Sequence, residues 1–108
     1  MNRGDVVIVT TKGPYSGKPR PAVVVQSDLF NPTHASVTLC LMTTDLRDAP
    51  LFRLTVEPSA GNGLHKRSQV MVDKVFSAPR EKVGAPVGAL DGATLGRIDD
   101  ALRLWLQI

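Results

Sequence analysis

Apolar residues follow two different periods along the chain. Up to about residue 90 they form short β-branched stretches separated by glycine- and proline-bearing breaks; beyond Asp91 they recur every three or four positions. The first regime predicts strands. Asp5–Thr10 is rich in valine and isoleucine, and Pro21–Gln26 is continuously apolar at its centre, as in a strand covered on both faces. Ser36–Thr43 is a third strand, and Phe52–Val56 alternates with apolar residues at 52, 54 and 56, as a half-exposed strand does. Ser68–Val75 is a fifth strand with an apolar centre, followed by a helical turn near Pro79–Val83 and an extended piece at Val87–Leu90. The breaks at 11–19, 28–33, 44–50 and 57–67 carry Gly, Pro, Asn and Asp, the residues turns require.

The second regime predicts one helix. Asp91 is suited to cap its N-terminus, and Leu95, Ile98, Leu102, Trp105 and Leu106 form an apolar stripe running to the C-terminus. Short strands followed by a single helix indicate a mainly β, α+β fold: a small, curved antiparallel sheet or open barrel closed by a C-terminal amphipathic helix. No repeat or linker divides the 108 residues, so one domain over 1–108 is expected.

Composition narrows the class. With 21% charged and 43% hydrophobic residues, the chain reads as an ordinary globular protein, not a disordered, collagen-like or disulfide-built one. The lone Cys40 cannot form an internal bridge, charge follows the initiating Met at once, and no apolar run approaches membrane-spanning length. The expectation is a cytoplasmic protein without membrane contact. A net charge of +3 is modest, so its distribution matters more. Lys12, Lys18 and Arg20 form one basic stretch, and Lys66, Arg67, Lys74, Arg80 and Lys82 a second. If folding joins them, the surface suits phosphates; left apart, they are solvated charges.

Several chemistries lack their residues. His34 and His65 are far apart and Cys40 is alone, so no metal-ligand spacing is present, and neither a metal nor another cofactor is expected. Gly13 and Gly17 lie between two predicted strands, where a phosphate loop would join a strand to a helix. Cys40 falls mid-strand among Leu39, Leu41 and Met42, the setting of a packing cysteine more than of a nucleophile. What remains is polar side chains at strand ends. Arg20 opens the second strand, Thr43 and Thr44 close the third, and Asp73 lies inside the otherwise apolar fifth. Each has a structural reading: a snorkelling arginine, a turn-capping threonine, a solvent-facing aspartate. Together they suit phosphodiester cleavage, which needs a cation for the phosphorane and groups that move protons.

The spelling of these segments is more specific than their pattern. Arg3-Gly4-Asp5-Val6-Val7 starts a strand, and a glycine-bearing loop ends in Arg20-Pro21-Ala22-Val23-Val24-Val25-Gln26-Ser27-Asp28. Leu41-Met42-Thr43-Thr44 follows, then Gly63-Leu64 before Ser68-Gln69-Val70-Met71-Val72-Asp73-Lys74-Val75. In order and spacing the chain resembles the MazF/PemK/Kid family of toxin endoribonucleases over nearly its whole length. The resemblance implies an SH3-like barrel of the CcdB/MazF type, acting as a homodimer. It implies metal-independent, sequence-specific cleavage of single-stranded RNA, usually mRNA: the ribose 2′-OH attacks, leaving a 2′,3′-cyclic phosphate and a 5′-OH. It also implies a cognate MazE-like antitoxin whose tail covers the RNA groove, with DNA met only through the antitoxin complex. By position, Arg20 takes the role of phosphate-stabilising arginine, Thr43 that of hydrogen-bond donor to the scissile phosphate, and Asp73 that of base. Thr44, Ser16 and Lys18 fall where substrate is bound, and the basic residues Lys12, Lys66 and Arg67 are further substrate-binding candidates.

The chain departs from the family in two places. Met71 stands where some members carry an arginine proposed as general acid, which shifts weight to Arg20; Tyr15-Ser16-Gly17-Lys18 replaces the usual Glu-Gln of the first loop. Two other functions suit such a barrel. A CcdB-like poison of DNA gyrase uses a C-terminal Trp and Ile, and this chain ends Leu104-Trp105-Leu106-Gln107-Ile108. A non-catalytic nucleic-acid-binding barrel would want stacking aromatics, of which Tyr15, Phe30 and Phe52 are the candidates.

Overall fold

A computed structural model of the chain describes residues 1–10 and 18–108. Its strands are β1 (Asp5–Val9), β2 (Arg20–Val24), β3 (Ser36–Thr43), β4 (Arg53–Val56), β5 (Ser68–Pro79) and β6 (Gly88–Ala89). A 3-10 turn, Arg80–Lys82, follows β5, and one helix, α1 (Gly92–Leu106), ends the chain. The strands make one antiparallel sheet in the order β4-β5-β3-β2-β1-β6. An isolated bridge between Val9 and Val83 brings the segment after β5 back onto β1 and curls the sheet toward a barrel.

Strand alternation sorts the core into two clusters. Val6, Val23, Cys40, Met42, Leu54, Val56, Val70 and Val72 meet Ile98, Ala101 and Leu102 of α1. Val7, Val9, Ala22, Val24, Val37, Leu39, Leu41, Met71 and Ala78 form the second cluster, with Phe76 and Val83 against it. Ala22, Val23 and Val24 are all fully buried, which is why β2 has no polar alternation. β2 stops at Val24 because the amides of Val25 and Gln26 both donate to the Thr38 carbonyl, two residues sharing one acceptor as in a bulge.

β5 is longer than the apolar pattern indicates. Its pairing with β3 shifts between Cys40 and Met42, from Cys40↔Val75 to Met42↔Val70, so residues 71–74 stand against Leu41 alone and form an irregularity. The strand then continues through Phe76 to Pro79, where proline ends it.

The Arg3-Gly4-Asp5 start proves to be a joint. Arg3 donates its amide to Asp28 Oδ1 at 2.7 Å and its Nε to the Val25 carbonyl at 2.9 Å, and its guanidinium pairs with Asp99 of α1 at 2.7 Å. Gly4 has φ +94°, which its missing Cβ permits. The Asp28 carboxyl is held below its usual range, first by the Arg3 amide and then by Asn31. Asp91 caps α1 by accepting from the Thr94 amide at 2.7 Å, and this same bond leads in lowering its pKa.

The apolar stripe of α1 is buried at Ile98 and Leu102 and opens to solvent toward the C-terminus. Ile98 is fully covered, whereas Trp105 and Leu106 are about half exposed, with Trp105 tilted against Phe52 at 5.7 Å between ring centroids. Among the described residues, no helix is long and apolar enough to cross a membrane.

Candidate active site

The site is built from strand ends. β1 and β2 pair with Val9 opposite Arg20, β3 and β5 with Thr43 opposite Gln69, and β4 and β5 with Thr55 opposite Gln69. Extending the Ala22↔Leu41 register of β2 and β3 by two residues sets Arg20 opposite Thr43. Arg20, Thr43 and Gln69 thus share one row at one end of the sheet. Alternation directs Arg20 and Thr43 to the face of Ala22, Leu41 and Met71, away from α1. Arg20 is half-buried, a setting that holds a guanidinium in one orientation while leaving it reachable.

Thr43 also does the structural work expected of it. Its hydroxyl accepts from the Asp45 amide at 3.0 Å, which turns the chain out of β3. As an acceptor in that bond, the hydroxyl keeps its own proton to donate elsewhere.

Gln69 escaped sequence reasoning. Nearly buried, it accepts from the Arg47 amide at 3.0 Å and from Arg53 Nη1 at 3.3 Å, and it donates to the Arg47 carbonyl at 2.9 Å and to Thr55 Oγ1 at 3.3 Å. These bonds pin the loop after Thr43 to the start of β5. Arg53 reinforces it by donating to the Asp45 carbonyl at 2.8 Å, and Arg47 pairs with Asp45 at 3.0 Å. The Arg47 bond lowers the Asp45 pKa, and Asp45 in turn raises that of Arg47. A glutamine amid Ser, Val and Met gave no signal, because its role depends on a loop more than twenty residues away.

The other candidates divide. Pro21 and Thr44 line a cleft of about 450 Å³ with His65 and Lys66, so the start of the second basic stretch lies beside the residue that follows Arg20. Lys18 is exposed ahead of β2. Arg67 stays exposed in a surface ion pair with Glu57 at 2.7 Å, whereas Arg80 is tied to the His34 and Asn31 carbonyls and is structural. Lys12 and Ser16 lie outside the described residues.

Asp73 is not the solvent-facing aspartate that alternation suggests. It sits half-buried in the β5 irregularity, and its Oδ1 is buried without a hydrogen-bond partner among the described residues. Its charge is felt at Cys40. Burial pushes that thiol up to about 12, with Arg3 opposing and Asp73 adding to the rise, so Cys40 is a packed, protonated thiol and not a nucleophile. Among the described residues, no three His, Cys, Asp or Glu side chains converge as metal ligands would.

Comparison with known proteins identifies the family. Residues 2–106 match the family described as PemK-like, MazF-like toxin of type II toxin-antitoxin system. The probable endoribonuclease MazF of Mycolicibacterium smegmatis is 43% identical over 108 residues, covering 100% of this chain and 98% of its own. The structure of the Mycobacterium tuberculosis toxin MazF-mt6 superposes with a TM-score of 0.82 at 22% identity, covering 96% of this chain and 97% of its own. A mycobacterial endoribonuclease solved in complex with its cognate antitoxin also reaches 0.82, at 24% identity, over 100% of this chain and 96% of its own. With the profile matched almost end to end and a full-length relative well above 30% identity, this chain belongs to the PemK-like, MazF-like toxins of type II toxin-antitoxin systems.

Proposed function

We propose that this MazF-like toxin endoribonuclease is a single 1–108 domain that cuts single-stranded RNA, mRNA foremost, through its own side chains and without a metal. The observation that carries the reading is the placement of Arg20 and Thr43 at adjacent strand ends, a fixed cation beside a hydroxyl donor. In the reaction the ribose 2′ oxygen attacks phosphorus and loses its proton to a base. The bond from phosphorus to the 5′ oxygen breaks, and that oxygen takes a proton from water on the Arg20 side. The products are a 2′,3′-cyclic phosphate and a 5′-OH. Arg20 neutralises the charge growing on the phosphorane, and the Thr43 hydroxyl donates to a non-bridging oxygen. Asp73 is assigned the base role by its match to the acidic position of the family; its carboxylate is half-buried in β5. Thr44, Lys18, Lys66, Arg67, Lys12 and Ser16 complete the substrate-binding set.

The partners in this reading are a MazE-like antitoxin, with DNA reached only through that complex, and a second copy of the chain, all in the cytoplasm. The exposed Leu51, Leu104, Trp105, Leu106 and Ile108 are more apolar surface than one copy covers, which supports such contacts. The decisive comparison is the wild type against Arg20→Ala on a long single-stranded RNA. Cleavage lost in a variant that keeps its circular dichroism spectrum supports the assignment; cleavage retained refutes it. Asp73→Asn tests the base role. Cleavage lost in a folded variant supports the assignment, and cleavage retained removes Asp73 from the mechanism.

A further inference from the structure

The cleft beside the catalytic row has a built wall. The loop after β4 is held by Asn62, which is nearly fully buried: its Oδ1 accepts from the Ser59 and Leu64 amides, both at 3.0 Å, and its Nδ2 donates to the Glu57 carbonyl at 2.9 Å. The loop is then stapled to β6. Ala89 donates its amide to the Gly61 carbonyl at 2.9 Å. The two backbones lie so close that a Cβ on Gly63 would meet the Val87 carbonyl oxygen at 2.4 Å, and one on Gly88 would meet the Asn62 carbonyl carbon at 2.3 Å. This seam holds Leu64, His65 and Lys66 over a floor of Val6, Ile8 and Pro21, with Thr44 also on the lining.

The chemistry of the lining is specific. Apolar residues make up most of the lining, with His65, Lys66, Thr44 and Ser68 among them, the Ser68 hydroxyl being bonded to the Lys66 carbonyl. A flat heterocycle with apolar faces and a hydrogen-bonding edge matches that arrangement, and single-stranded RNA offers such bases splayed from the stack. The cleft also adjoins the cutting site. Pro21 follows Arg20 in β2, where alternation sends the two to opposite sides, and Thr44 follows Thr43 just past the end of β3. A nucleotide whose phosphate rests on Arg20 and Thr43 can therefore send its base over the strand ends into the cleft.

We infer that this cleft is a base-reading subsite that fixes one position of the cut sequence, with His65 and Thr44 contacting a single nucleobase and Lys66 the adjoining phosphate. The inference rests on the endoribonuclease reading above. It makes His65, a residue outside the catalytic row, a determinant of sequence choice.

The test maps the 5′ ends produced from one long single-stranded RNA by the wild type, Arg20→Ala, His65→Ala and Thr44→Val. The expected result is a preference at one motif position that weakens roughly tenfold in His65→Ala and at the same position in Thr44→Val, while the other positions are kept. An unchanged motif in both variants overturns the subsite while leaving the endoribonuclease reading intact. Uniform slowing at every sequence, with no change in base preference, also overturns it. A folded wild type that cuts nothing overturns the underlying reading and the subsite together.

Discussion

At the level of single residues, the decisive contrast is between Arg20 and Cys40. Arg20 is half-buried at a strand end, where its charge can serve a substrate; Cys40 is fully buried mid-strand, where its thiol serves only packing. Arg20→Ala is expected to lower cleavage by about 10²–10³-fold, the usual effect of removing one preorganised donor to a developing charge. Thr43→Val should cost roughly 10- to 100-fold, as expected for a hydrogen bond to a charged group. Single-turnover cleavage of one RNA checks both. Cys40 makes a stability prediction. Its folded pKa of about 12 lies above the ordinary 9.0, so the native state binds this proton more tightly than the unfolded one. That contribution is complete below pH 9.0 and is lost as pH rises toward 12. Urea midpoints measured between these limits should fall more steeply in the wild type than in Cys40→Ala; equal slopes would contradict it.

The site was partly legible residue by residue. The proposed pair, Arg20 and Thr43, stands out in one dimension because each is a polar side chain at the end of an apolar run. Gln69, His65 and Asn62 do not, since each matters through a partner that only the folded chain supplies. Asp73 was legible as a residue but not in its surroundings, because alternation cannot register the irregularity that turns it inward.

At the level of elements, the pattern of β-branched stretches located every strand, and Ser36–Thr43 matches to the residue. The end of β5 was hidden because Phe76-Ser77-Ala78-Pro79 has neither an apolar centre nor clean alternation and pairs only through distant β3. The seam between the β4–β5 loop and β6 supplies a paired test. Gly88→Ala forces a Cβ against backbone that cannot yield and should lower Tm by at least about 5 °C. Gly61→Ala meets nothing within 4 Å and should leave Tm unchanged or slightly higher. Ile98→Ala removes the fully buried anchor of α1 and should cost about 2–5 kcal/mol in denaturant unfolding.

At the level of the whole molecule, the sheet has a covered face, under the middle of α1, and an end that carries Arg20 and Thr43. The last turn of α1 and Leu51 remain uncovered, and the proposed homodimer accounts for that surface. Light scattering across the micromolar range should return twice the chain mass, and a monomer throughout would contradict it. In the proposed reaction these strand ends cut RNA with organic side chains alone. The most direct measurement is incubation of the purified protein with a long single-stranded RNA in EDTA, followed by mapping of the new 5′ ends. The account predicts cuts at one short motif bearing 5′-OH termini, absent with Arg20→Ala. Intact RNA with folded wild type, or equal cutting by Arg20→Ala, would contradict it.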